Sequence, residues 1–133
     1  MRIGGWNMVK KCDEKIKQPK WKIVENSRSQ IINAGKTIRN EDISNEERNS
    51  AIKVIDNWRA AHAFPMHVIY MHLRRMCSQN EDVIVAERLK RLKSITNKLK
   101  REKAMNLWTM QDLGGCRVIV PKISDVYEYA KEY

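Results

Sequence analysis

The segment Arg88-Leu-Lys-Arg-Leu-Lys-Ser-Ile-Thr-Asn-Lys-Leu-Lys-Arg101, followed after a short link by Met110-Gln-Asp-Leu-Gly-Gly-Cys-Arg-Val-Ile-Val120, decides how the chain folds. In its first half Leu92, Ile95 and Leu99 recur three and four residues apart, which puts them on one face of a helix. Ser94 stands just before Ile95 and is a good N-cap for the stripe Ile95 to Leu99. The second half reads as a glycine-containing turn at Leu113 feeding one buried strand over Val118 to Val120, stopped by Pro121. Helix followed by strand predicts a mixed α/β (α+β) domain.

Reading outward, the segment starting at Asp82 is ambiguous between helix and strand around Val83 to Leu89, because a short apolar run carries no decisive period. Upstream the pattern is helical. Ser27 can cap a helix through Ile31, Ile32, Ala34 and Ile38, and Asn40 to Asn45 is a polar break. Ser44 with Glu47 three residues on is a capping-box signature. Ala51, Ile52, Val54, Ile55 and Trp58 then extend an apolar face to a break at Phe64-Pro65. A further helix is expected from Met66 to Cys77 with Ile69, Tyr70 and Leu73 inward. Downstream, Ser124 is expected to cap a last helix through Val126, Tyr127 and Ala130.

The chain has 133 residues, room for one domain only, and its 42% hydrophobic content suits folding rather than disorder. Its net charge of +10 is unevenly placed: residues 1 to 23 carry a net +5 and residues 87 to 103 a net +6. Residues 1–22 therefore read as a basic tail and 23–133 as the domain. No apolar run approaches the roughly 18 residues of a membrane span, and the start lacks the apolar core of a signal peptide, so a cytoplasmic protein is expected. Cys12, Cys77 and Cys116 are odd in number and unpaired in spacing, which argues against a disulfide framework or a zinc site.

Several motifs fall away on inspection. Gly35-Lys36-Thr37 resembles the end of a phosphate-binding loop, but that loop needs a glycine where Gln30 stands, and a preceding strand. His62, His67 and His72 are five apart, turning successive rings by well over a quarter turn on a helix, so they do not converge on a metal. Met66, Met71 and Met76 at helical spacing read as core filler.

What remains is a basic constellation around a helix start. Free N–H groups and the positive dipole end at Ser94, with Arg88, Lys90 and Lys98 nearby, suit a polyphosphate; a solvated basic helix face fits the charge pattern equally well. Asp112, a lone carboxylate before a Gly-Gly turn, is suited to Mg²⁺, which takes one or two carboxylates plus phosphate oxygens; it could equally be a turn-forming Asp.

Taken in order, Arg88-x-Lys90-x-x-x-Ser94-Ile-x-x-Lys98-Leu-x-Arg101 and Gln111-Asp-Leu-Gly-Gly-Cys-Arg-Val-Ile-Val120 resemble the synthetase domain of the RelA/SpoT family. Lys20-Trp21, Ser27-x-Ser-Gln-Ile-Ile-Asn-Ala-Gly35 and Asn57-Trp-Arg-Ala-Ala-His-Ala-Phe-Pro65 resemble the helical lead-in of its single-domain, toxin-like branch. The resemblance covers about residues 20 to 133. It implies a helical lead-in followed by the start of a nucleotidyltransferase-like mixed sheet. It also implies transfer of the ATP pyrophosphate to the 3′ hydroxyl of GDP or GTP, giving the alarmone (p)ppGpp. By the same resemblance Arg88, Lys90, Ser94, Lys98 and Arg101 would bind ATP, Asp112 would be the catalytic Mg²⁺ ligand, and Arg117 would support the site. Lys93 departs from the aromatic residue that long members commonly have there. The family's guanosine-stacking tyrosine and catalytic glutamate lie downstream of the Asp block, so the resemblance marks residues 23–133 as an N-terminal portion, truncated and inactive alone, and gives Glu128 and Glu132 no catalytic role. Two alternatives stay open: a toxin pyrophosphorylating the tRNA 3′ end, and a nonenzymatic basic RNA-binding module.

Overall fold

The computed structural model describes residues 21–133; the basic stretch before Trp21, with Cys12 and Lys20, lies outside them. Helix α1 (Arg28–Thr37) starts where the sequence places it: Ser27 Oγ accepts the Gln30 N–H, and the Gln30 side chain accepts the Ser27 N–H at 2.7 Å. Helix α2 (Asn45–Ala61) has the second box, with the Ser44 N–H donating to the Glu47 carboxylate at 2.9 Å and the Glu47 N–H donating to Ser44 Oγ at 3.1 Å. These hydrogen bonds favour the ionised acid and lower the Glu47 pKa.

The expected break at Phe64-Pro65 falls earlier. Helix α2 ends at Ala61 and α3 (Ala63–Met76) begins after His62, with Pro65 inside its first turn. There the missing proline N–H costs nothing, since first-turn N–H groups have no helical acceptor. The inward face of α3 also differs from expectation: Ile69 is 42% exposed and Met71 43%, so neither is core.

The ambiguous segment is strand β1 (Ile84–Leu89), and it pairs antiparallel with β2 (Gly114–Ile119), from Ile84 opposite Ile119 to Leu89 opposite Gly114. Among the described residues there are thus two strands rather than one, and β2 is not the buried strand its apolar run implied. Its residues alternate between half-buried and exposed, as expected when one face of an antiparallel pair packs and the other meets solvent. The packed face (Val85, Glu87, Leu89, Gly114, Cys116, Val118) lies against α3. Packing is tight at Gly114, where a Cβ would come within 3.0 Å of Met66 Sδ and 3.3 Å of Leu89 Cδ2.

Helix α4 (Leu92–Arg101) carries the apolar stripe into the core. Ile95 and Leu99 pack fully buried with Ile31, Ile38, Ala51 and Ile55 of the lead-in and with Leu107, Met110 and Leu113 of the link to β2. The close fit of Gly35 to Leu107, where a Cβ would meet the Leu107 Cβ at 3.0 Å, lets that link lie on α1. Helix α5 (Ile123–Glu132) is capped at Lys122 rather than Ser124, which sits in the first turn bonded to Asp125 at 3.1 Å. The molecule is a mixed α+β fold, and among the described residues no helix is long and apolar enough to cross a membrane.

Candidate functional site

Strand pairing brings the two separated blocks together. Beyond the last paired residues, the Lys90 N–H still donates to Leu113 O at 2.7 Å, so Lys90 leaves β1 beside Asp112, which enters β2. The chain then turns into α4, and Lys98 comes to the same point. Both ammonium groups donate to Asp112 Oδ2, Lys90 at 2.8 Å and Lys98 at 3.0 Å. The Lys90 hydrogen bond, with Lys98 adding to it, holds the Asp112 carboxyl below its ordinary pKa of 3.8 against a smaller opposing effect of burial. The Asp112 side chain is 47% exposed, so the cluster is accessible.

Helix α4 begins at Leu92 and not at Ser94, because Leu92 is drawn toward the core with the rest of the stripe. Arg91 is its N-cap and forms no side-chain cap; Ser94 is the third helical residue, and its hydroxyl is exposed. The first helical hydrogen bond runs from the Ile95 N–H to Arg91 O at 3.0 Å. The N–H groups of Leu92, Lys93 and Ser94 therefore have no helical acceptor, and an anion there meets the positive end of the dipole.

Arg88 and Arg117 project from the outer, exposed face of the two-stranded sheet, Arg88 opposite Gly115 and Arg117 opposite Ala86. They line a shallow cleft of about 430 Å³ with Gly115, beside which a Cβ would meet nothing within 4 Å. Arg101 does not join this group. It lies in the last turn of α4 and pairs with its neighbour Glu102 at 3.0 Å.

Sequence reading missed Arg59. Its Nε donates to Lys90 O at 2.7 Å and fixes the backbone from which Lys90 reaches Asp112. A lone cation beside Trp58 gave no signal of this. Trp58 itself stacks on Trp108 at 4.8 Å, behind the same junction.

The histidines engage separate partners, His62 the Trp58 carbonyl at 2.7 Å and His67 the Glu87 carboxylate at 3.1 Å. Among the described residues no set of three His, Cys, Asp or Glu side chains converges. Cys77 and Cys116 are free thiols whose pKa values burial raises. Gly35-Lys36-Thr37 lies within α1 and forms no loop. No family model matches the chain, and no curated protein is significantly similar to it.

Proposed function

We propose that the chain provides the ATP-gripping part of a pyrophosphotransferase of the RelA/SpoT type, with a nucleotidyltransferase-like sheet beginning at β1 and β2, acting on GDP or GTP to make (p)ppGpp. One observation carries this reading: Lys90, Lys98 and Asp112, drawn from two blocks far apart in sequence, meet beside the uncapped start of α4.

The reaction joins the acceptor's 3′ oxygen to the β-phosphorus of ATP, breaks the bond from that phosphorus to the bridging oxygen of the α-phosphate, releases AMP and gives the hydroxyl proton to a base. On this reading Lys90 and Lys98 exchange Asp112 for phosphate oxygens, the free N–H groups of Leu92 to Ser94 add neutral donors, and Arg88 and Arg117 bind from the outer sheet face. Asp112 fits Mg²⁺: both lysines occupy Oδ2, leaving Oδ1 without a hydrogen bond. A bound Mg²⁺ would supply neutralisation of phosphate charge. The net +10 supports a second acceptor, the polyanionic 3′ end of tRNA.

Isothermal titration of the chain with ATP and Mg²⁺ tests the donor site. Charge-assisted contacts to phosphate are each worth about 1.5 to 3 kcal/mol, so Lys90→Ala should weaken ATP binding about tenfold or more with a nearly unchanged melting temperature. Equal affinity in variant and parent overturns the assignment. Asp112→Asn separates enzyme from binder: an enzyme loses Mg²⁺-dependent transfer of labelled phosphate from ATP to GDP, GTP or tRNA, whereas a nonenzymatic RNA-binding module keeps its RNA affinity and shows no transfer in either form.

A further inference from the structure

We infer that a second oxyanion site, for a phosphate group, lies at the far end of α4 from its start at Leu92. Leu92 and Arg101 are separated by about 14 Å along the helix. Beyond that end a cleft of about 200 Å³ opens between α1 and the link that follows α4. Its charged and polar lining is Lys36 from the last turn of α1, Arg39 just beyond it, and Lys103 and Asn106 from the link; no acidic residue lines it.

Arg39 makes the cleft more than a patch of solvated lysines. Its Nε donates to Leu99 O at 2.8 Å, across 60 residues of chain, and so anchors one edge of the guanidinium. Its Nη2 is shielded from solvent and has no hydrogen-bond partner. A charged donor removed from water and left unpaired is costly, and the usual remedy is a carboxylate or phosphate oxygen on the guanidinium fork. Of the acids nearest in sequence, Glu102, next to Lys103, is held by Arg101, and neither Glu41 nor Asp42 lines the cleft. An oxyanion entering between Lys36 and Lys103 would satisfy Arg39 after a small shift of its guanidinium.

The helix ends here carry negative dipole charge, which opposes an anion. That charge is answered locally: Leu99 O takes Arg39 Nε, Lys98 O takes the Glu102 N–H, and Ala34 O and Lys36 O take the N–H groups of Ile38 and Arg39. The three cations are therefore the dominant field in the cleft. A phosphate matches them in charge and size, whether it is a free phosphate ligand or a phosphodiester of nucleic acid.

Titration with inorganic phosphate at constant ionic strength, followed by amide and arginine side-chain NMR signals, tests the site. Phosphate should move the signals of Arg39 and Asn106. The double variant Lys36→Ser/Lys103→Ser alters two exposed residues and should keep the melting temperature. It should weaken phosphate binding at those signals roughly fivefold, the expectation for two exposed ionic contacts. Lys90→Ala should leave the binding unchanged, which separates this site from the one at Asp112. Unchanged affinity in the double variant, or no movement of Arg39 and Asn106 at high phosphate, overturns the inference. A single-stranded RNA oligonucleotide identifies the source: if the double variant lowers the salt slope of binding by about 0.7, a phosphodiester is engaged there. A slope unchanged while phosphate binding falls assigns the site to a free phosphate ligand. Both of these results sustain the site.

Discussion

Among the described residues, Asp112 is the one carboxylate that accepts from two lysines at once. The Lys90 and Lys98 side chains are 25% and 20% exposed against 47% for Asp112, so the lysines are the better shielded partners as whole side chains. Holding the carboxyl below its ordinary 3.8 means the folded chain binds fewer protons than the unfolded chain near that pH. The resulting stabilisation is present above pH 3.8 and is lost as pH falls through the folded value; solvent screening keeps it small. Carbon NMR of the Asp112 carboxyl should therefore titrate at lower pH than an exposed aspartate, and Lys90→Ala should move the midpoint back up. An ordinary midpoint in the parent chain would show that the lysines do not hold the carboxylate in solution.

At the scale of single elements, the serines separate by what their hydroxyls do. Ser44 accepts the Glu47 N–H and closes a box, while Ser94 lies inside α4 with an exposed hydroxyl and no capping bond. Ser44→Ala should cost about 1 kcal/mol in urea unfolding, the usual value of a lost N-cap. Ser94→Ala should stay within about 0.5 kcal/mol of the parent, as an exposed substitution away from a cap does. A Ser94→Ala loss as large as that of Ser44→Ala would place the helix start at Ser94 after all. The α4 stripe itself is not in question: Ile95 and Leu99 are fully buried.

Across the whole molecule, burial is concentrated on one side. The core joins α1, α2, α4 and the link through Leu107, Met110 and Leu113, whereas α3 and α5 contain no buried residue. Between α3, β2 and α5 an apolar cleft of about 420 Å³ remains, lined by Ile69, Leu73, Val118 and Tyr129 among others. Local opening should follow this division, because few buried contacts resist it on the α5 side. Amide hydrogen exchange should thus be slowest at Ile55 and Leu99 and fastest at Val126 to Ala130. Equal protection of the two groups would show that α5 is docked more firmly than its exposure implies.

What the sequence determined by itself was local. The cap at Ser27 and the box at Ser44 are contained within four residues, and the stripe Leu92, Ile95, Leu99 within two turns, so both were legible without a fold. Composition likewise made a folded basic domain the natural expectation. The tertiary structure decided whatever needed a partner from elsewhere in the chain. Val83 to Leu89 has no distinctive period, and only its ladder with β2 makes it a strand and leaves β2 half-exposed. Leu92 starts α4 ahead of Ser94 because Leu92 packs on the core, and packing outweighs a hydroxyl cap. Lys90, Lys98 and Asp112 each stood out in the sequence as candidates for binding phosphate or metal, but their meeting depends on the register that sets Lys90 beside Leu113. The roles of Arg59 and Arg39 were invisible, since each bonds a backbone carbonyl 31 or 60 residues away, and a carbonyl carries no mark in sequence.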